Sequence, residues 1–196
     1  MGLKGEKDMI VKDVLKIVSA ELDFTDLLNT IELGGSNVVT EEQYAQFKYL
    51  INCVNDVNHL ISFMYLPLKT TENIIVSGNV FNFSQLSKIL IELISVKNEN
   101  GIKQNFQTFP TFFKCKNGKY TITYTYSPDY VSSLDDALDV SSKIDAYVFA
   151  SGVVARYYLQ KGLYADASAW DTKFTQGMLV AQRRKDGVKM PSRGWF

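Results

Sequence analysis

Residues 111–126 read TFFKCKNGKYTITYTY, and this stretch decides the fold class because it lies between segments with helical periodicity. Threonine and larger residues alternate strictly over residues 121–126, which predicts a half-buried β-strand. Asn117-Gly118 separates this strand from residues 111–116, and Asn-Gly between two such runs is the strongest short-range signal for a hairpin turn. The sequence therefore predicts that residues 111–116 and 120–126 form an antiparallel hairpin.

The region before this stretch also has the pattern of strands. Residues 72–76 alternate imperfectly as far as Gly78-Asn79, and large apolar residues resume at Val80, which predicts a second hairpin. Residues 89–96 are apolar nearly throughout, so periodicity alone does not separate helix from strand. The run is short, isoleucine-rich and followed by a turn-prone segment, which favours a strand. We therefore expect an antiparallel meander of four or five strands.

Helical periodicity dominates on both sides of the meander. Thr40 and Gln43 have the spacing of a capping box, and apolar residues at helical spacing follow as far as Met64, before Pro67 ends the helix. Shorter helices are expected over residues 8–22 and 24–31. Two more are expected over residues 142–161 and 164–184. The short link at Gly162 predicts that these last two form an antiparallel helical hairpin.

These segments predict an α+β fold with one main core, as expected for 196 residues. Residues 1–66 and 128–185 form a helical bundle, residues 67–127 an inserted β-rich subdomain, and residues 186–196 an extended arm. Hydrophobic residues make up 46% and charged residues 21% of the chain, so global disorder is excluded.

Charge and cysteine usage exclude several partners. Lys plus Arg and Asp plus Glu both number 21, so no net charge attracts the chain to nucleic acid or to an anionic membrane. No apolar run approaches the roughly 18 residues of a membrane helix, and we expect no membrane association. Cys53 and Cys115 are too far apart in sequence to form a redox or zinc pair, which fits a reducing compartment.

Candidate catalytic residues are few. His59 is the one histidine, and its neighbours Asn55, Asp56 and Asn58 favour a solvated or hydrogen-bonded ring over a catalytic one. The sequence has no nucleotide-binding fingerprint, no HExxH and no cluster of cysteine and histidine. We therefore expect no catalytic residues, no metal and no cofactor.

An acidic group follows the meander. Its oxygen donors suit a hard cation, and two of its carboxylates would suit glycoside hydrolysis. It lacks EF-hand spacing, however, and acidic caps at helix N-termini are the favoured interpretation. Its members are Asp129, Asp135, Asp136, Asp139 and Asp145.

The last 14 residues are basic and aromatic. They contain five basic residues and one acidic residue, Asp186, which gives a local charge of plus four. Cations complement the C-terminal end of a helix dipole, but that does not account for the apolar residues beyond. We expect an arm that docks on a partner chain, with Trp195 and Phe196 as apolar anchors and Arg193 as a polar contact. Binding of nucleic acid by these interleaved basic and aromatic residues is the alternative.

Several passages carry a family resemblance. They include Val14-Leu15, residues 68–76, residues 93–97, and residues 120–126 with Pro128. The most specific is residues 150–170, which contain GVVARYYL, then GLYADA and Trp170. Together they resemble the head-to-tail connector, or adaptor, proteins of tailed bacteriophages, especially the tail tubular or packaged-DNA-stabilising adaptors of short-tailed phages.

The resemblance implies a virion structural protein without enzymatic activity, made in the host cytoplasm and located at the neck of the particle. Such adaptors form a ring, usually dodecameric, between the portal protein and the tail or the next ring protein. DNA passes through the channel during ejection without sequence-specific contact. Two alternatives remain open, namely a tail terminator or completion ring of the same virion, and a carboxylate-dependent hydrolase.

Two sets of residues take roles in this interpretation. The acidic group, Asp129 to Asp145, is expected at the contact between subunits or in the lumen of the ring. The arm and its approach are expected to dock on the portal. The portal-docking residues are Arg183, Arg184, Lys189, Met190, Arg193, Trp195 and Phe196.

Overall fold

The computed structural model describes residues 9–32 and 40–183, which form five α-helices and six strands. The helices are α1 (Val11–Glu21), α2 (Thr25–Glu32), α3 (Glu41–Leu60), α4 (Ala146–Gln160) and α5 (Tyr164–Gln182). The strands are β1 (Leu68–Val76), β2 (Val80–Asn82), β3 (Leu90–Asn98), β4 (Gln107–Thr108), β5 (Phe112–Lys114) and β6 (Gly118–Tyr126). A π-helical turn, Ile61–Tyr65, extends α3, and a 3-10 turn, Phe83–Gln85, follows β2. The predicted α+β class is confirmed.

Local sequence signals determine where the longest helix begins. The Thr40 hydroxyl accepts a hydrogen bond from the backbone N–H of Gln43 at 3.2 Å, and the Gln43 side chain accepts one from the backbone N–H of Thr40 at 3.0 Å. This is the predicted capping box, which satisfies two otherwise free donors. The helix α4 begins later than predicted, because Asp145 caps it by accepting from the N–H of Tyr147.

The helices share one hydrophobic cluster, in which α4 lies between α1, α3 and α5. Gly152 lies where α4 closely approaches both α3 and α5. A Cβ atom at this position would lie 2.8 Å from the Phe174 ring on α5 and 3.1 Å from Val57 on α3. Only glycine lets the three helices meet at this distance. The segment between β6 and α4 packs against the same cluster through Val131 and Ile144.

The strands form two three-stranded sheets rather than a meander. The strand orders are β1-β6-β3 and β2-β5-β4. The predicted meander is wrong, because in the larger sheet each pair of neighbouring strands is distant in sequence. The predicted hairpin of residues 111–116 with 120–126 is also wrong, since β5 and β6 belong to different sheets.

Asn117-Gly118 has another role than a hairpin turn. The Asn117 side chain accepts a hydrogen bond from the backbone N–H of Asn79 at 2.7 Å, and this bond connects two loops. Gly118 is already the first residue of β6 and pairs with Val76 on β1. The dipeptide therefore carries the chain from one sheet to the other.

The turn predicted at Gly78-Asn79 is confirmed. Both residues have positive φ, 64° and 61°, as a type I′ turn requires. Ser77 and Val80 pair across the turn, but the predicted hairpin is otherwise wrong, because β1 pairs with β6 and β2 pairs with β5 in different sheets.

The larger sheet has one regular and one irregular edge. All nine residues of β1 pair with β6 without interruption. The β3 strand, which confirms the strand predicted for residues 89–96, pairs with β6 with two register shifts. Side chains from both sheets form a second hydrophobic cluster, with Phe113, Ile122 and Tyr124 fully buried. The strand-rich part therefore has a core distinct from that of the helices.

Candidate interaction surfaces

Most of the acidic group has local structural partners. Asp136 accepts hydrogen bonds from the backbone N–H groups of Ser132 and Ser133 at 2.7 and 2.9 Å, which lower the pKa of its carboxyl group. Asp145 caps α4. Asp135 is exposed, and no group of three or more His, Cys, Asp or Glu residues in the described part of the chain is placed to hold a metal ion.

The other two aspartates attach the segment before α4 to the larger sheet. The Tyr126 hydroxyl donates a hydrogen bond to Asp139 at 2.9 Å, and Lys88 forms an ion pair with Asp129. Burial, followed by the nearby carboxylates, raises the pKa of Tyr126 to about 12. The hydrogen bond to Asp129 raises the pKa of Lys88. These carboxylates therefore join the strand-rich and helical parts.

His59 lies at the same junction. Its Nδ1 atom is 2.9 Å from the Ser127 hydroxyl, and the Tyr130 ring lies against the imidazole at a centroid distance of 4.5 Å. Its Nε2 atom is buried and makes no hydrogen bond to the residues that the structure describes. Asn55, which the sequence places one turn from His59, binds the backbone of Val131 instead. The imidazole is therefore part of the packing between α3 and residues 127–130.

A cleft of about 410 Å³ lies between α3, α4 and α5. Its lining is largely apolar, with Asp171 and Arg156 as the charged residues. The Arg156 Nε atom is buried and has no hydrogen-bond partner among residues 9–32 and 40–183. The hydrolase interpretation requires a pocket holding two residues of the acidic group, and this cleft contains none of them.

A second cleft, of about 330 Å³, is lined by Lys161 and by the Tyr49 and Tyr157 rings. The Lys161 ammonium lies 4.9 Å from the centre of the Tyr49 ring and 5.6 Å from that of Tyr157. Such cation–π contacts stabilise by roughly 0.5–1 kcal/mol at exposed sites. Lys161 therefore stabilises the end of α4 against α3.

The helix α5 is covered on one side only. It buries Phe174 and Met178 against the helical cluster. Away from these residues Leu179 and Val180 are 53% and 62% exposed, whereas Tyr164, at the start of the helix, faces the cleft beside α3 and α4. Leu179 and Val180 are called the outer apolar residues of α5 below.

Of the predicted portal-docking residues, the structure places Arg183, which is exposed directly after α5. The others lie outside the described residues, as does the predicted arm, residues 186–196. They are Arg184, Lys189, Met190, Arg193, Trp195 and Phe196.

Sequence reasoning missed the contacts that hold the junction, because they join residues far apart in the chain. Ser127 and His59 are 68 residues apart, and Asn55 and Val131 are 76 apart. None of the helices within the described ranges is long and apolar enough to cross a membrane. Comparison with protein families and with curated proteins found no match for this chain.

Proposed function

We propose that the protein is a head-to-tail adaptor of a tailed bacteriophage. In this proposal its copies form a ring, dodecameric as in the adaptors it resembles, between the portal and the tail or the next ring protein. The ring surrounds the channel through which DNA passes. The resemblance of residues 150–170 and the other quoted passages is one basis for the proposal, and the surface of α5 is the structural observation that carries it.

The α5 surface has the properties of a protein interface. The helix has 19 residues but buries only three of them, whereas α4 buries seven of its 15. A surface helix whose outer side faces solvent usually presents polar residues on that side. The outer apolar residues of α5 depart from that pattern, and removing apolar surface from water contributes roughly 25 cal/mol per Å². A partner chain that covers this side would gain that contribution.

The sequence after α5 supports the same conclusion. Arg183 is exposed, and the basic and aromatic residues follow it. Aromatic residues and arginine are enriched at the centres of protein interfaces. The outer apolar residues and the following segment thus form a continuous stretch of sequence suited to docking on the portal.

The acidic group fits a role at the ring contact or the lumen in part. Asp129, Asp135 and Asp145 are exposed, but Asp129 already pairs with Lys88 and Asp145 caps α4. Asp136 and Asp139 bind local donors as well. Exposed carboxylates along a channel would repel the phosphates of DNA and prevent tight binding. The proposal therefore assigns the lumen role to Asp135 first.

The test is the mass of the purified protein in solution, alone and mixed with the portal protein of the same phage, by light scattering. We expect a ring of about a dozen copies that joins the portal. A truncation ending at Lys185 and the double variant Leu179→Ser/Val180→Ser should both bind the portal weakly. The matched control is Gln176→Ser, at an exposed residue of the same helix, and this variant should bind the portal normally. A protein that stays monomeric and does not bind the portal contradicts the proposal.

A further inference from the structure

The larger sheet has two open backbone edges. The β1 strand pairs with β6 on one side, and no other described strand pairs with its second side. The outer edge of β3 is closed over its second half, where Asn98 donates to the carbonyl of Ile102 and Gln104 donates to that of Val96. The first half of β3, from Leu90 to Ser95, has no such cover in the described part of the chain, although both of its register shifts against β6 lie within it.

The β1 edge is well suited to pair with another strand. Its nine residues form an uninterrupted ladder with β6, and they include neither proline nor a bulge. Folded proteins commonly protect edge strands with prolines, bulges or covering segments. One lysine, Lys69, is the only basic residue on this strand. An open, regular edge of this length is a template for strand addition.

Residues at the two edges align in rows across the sheet. Thr125 of β6 pairs with Lys69 on one side and with Glu92 on the other. Lys69 and Glu92 therefore lie at the same position along the strands and on the same face of the sheet, but at opposite edges. Both are exposed, and neither makes an ion pair with the residues that the structure describes.

The neighbouring rows match in the same way. Tyr126 pairs with Leu68 and Leu90, so a leucine lies at each edge. Thr123 pairs with Thr71 and Ser95, so a hydroxyl lies at each edge. Suppose that the β1 edge of one copy lies beside the β3 edge of the next so that residues of the same row are neighbours. Leucine then meets leucine, lysine meets glutamate, and threonine meets serine.

We propose that neighbouring copies of this chain pair through these edges, with residues 68–71 of one copy beside residues 90–95 of the next. Lys69 of one copy then lies next to Glu92 of its neighbour. Both strands run antiparallel to β6, so the new pairing is parallel. The inference rests on the proposed ring, and it names the surface through which the ring forms.

The contact is heterologous, because two different edges meet, and repetition of such a contact by rotation alone closes a ring. If neighbouring copies are related by rotation about the ring axis without a shift along it, residues of the same row stay side by side, as the pairing requires. A two-fold contact between two β1 strands would be antiparallel, would leave β3 open and would bring no Glu92 to Lys69. Charge substitutions distinguish the two arrangements.

The first experiment exchanges the charges. Lys69→Glu and Glu92→Lys should each raise the concentration needed for assembly on the order of tenfold, since like charges then face each other in every contact. The double variant Lys69→Glu/Glu92→Lys should assemble as the unchanged protein does. An equimolar mixture of the two single variants should also assemble, because alternating copies place opposite charges at every contact.

Lys97→Glu is the matched control. Lys97 is exposed on the same face of β3, but its edge is closed by residues 102–104. This variant should assemble normally. All of these positions are exposed, and circular dichroism should show unchanged folding of each variant. A failure of both the double variant and the mixture to assemble overturns the proposal.

The second experiment is a cross-link. Within one copy, positions 69 and 92 lie two strands apart, about 10 Å, which is too far for a disulfide. The native Cys53 and Cys115 are buried. Oxidation of the double variant Lys69→Cys/Glu92→Cys should therefore give a ladder of covalent oligomers under denaturing conditions, and the two single cysteine variants should give none.

The outcomes separate this inference from the proposed function. Rings that form independently of both charges and give no ladder overturn the edge contact and leave the adaptor proposal intact. A ladder from a protein that neither closes a ring nor binds the portal supports the edge contact and overturns the adaptor proposal. A chain that never self-associates overturns both.

Discussion

Two asparagines on α3 allow the contribution of buried hydrogen bonds to be measured in one helix. Asn55 and Asn58 are 6% and 1% exposed. The Asn55 amide nitrogen donates to the carbonyl of Val131 at 3.0 Å, and its oxygen accepts from the N–H of Val131 at 2.9 Å. Neither side-chain polar atom of Asn58 has a partner in the described part of the chain. Replacement by leucine, which is similar in size, should therefore destabilise the protein at position 55 and not at position 58.

The expected magnitudes follow from these contacts. Asn55→Leu removes two hydrogen bonds and leaves the buried N–H and C=O of Val131 unpaired, at about 1–3 kcal/mol each. The burial of a leucine side chain offsets part of this cost. The variant should thus lose about 2–4 kcal/mol of unfolding free energy. Asn58→Leu removes only unpaired polar atoms, so its unfolding free energy should be unchanged or up to about 2 kcal/mol higher.

The assay is urea unfolding followed by circular dichroism, with thermal unfolding as a second measurement. For a protein of this size, 1 kcal/mol corresponds to a change in Tm of about 2–4 °C. The two variants should therefore move the Tm in opposite directions, or only Asn55→Leu should move it. Equal destabilisation by the two substitutions would refute the reasoning, because it would mean that packing rather than hydrogen bonding determines the cost.

Three further predictions concern other parts of the molecule. Thr40→Ala should lower the unfolding free energy by about 0.5–2 kcal/mol, measured by urea unfolding, whereas Thr40→Ser should retain most of the capping box. Gly152→Val should cost about 1–3 kcal/mol or more in the same assay, because its side chain would overlap Phe174. The pKa of Tyr126 is raised from 10.0 to about 12, so its neutral phenol stabilises the fold fully below pH 10. The stability difference between the unchanged protein and Tyr126→Phe should therefore shrink as the pH rises toward 12 in alkaline unfolding.

Sequence patterns predicted the features that depend on neighbouring residues. The capping box at Thr40 and the turn at Gly78-Asn79 each depend on a few adjacent residues, and both are confirmed. The strand character of residues 121–126 is likewise a local property, and β6 contains it. Strand pairing is different, because it depends on contacts between distant segments. Asn117-Gly118 has the sequence of a hairpin turn but connects two sheets.

The candidate surfaces were predictable to a smaller extent, for the same reason. Acidic caps at helix N-termini were the favoured interpretation of the acidic group, and Asp145 acts as one, whereas Asp136 binds the backbone of a turn at which no helix begins. The partners of Asp129 and Asp139 come from the larger sheet and could not be assigned from the sequence alone. The alignment of Lys69 with Glu92 requires the register of three strands, which no local pattern contains. The predicted arm stays a prediction.

The strand order of the larger sheet also affects how the chain is made. Its central strand, β6, is synthesised after both of its neighbours, β1 and β3. At a translation rate of roughly 5–20 residues per second, the 50 residues from 76 to 126 take roughly 3–10 s. During that interval β1, joined by β3 once residue 98 has been made, has no central partner, and isolated strands with unpaired backbone groups tend to associate with other chains. The newly made chain, more than the finished protein, is therefore the species in which these strands are open to association with other chains.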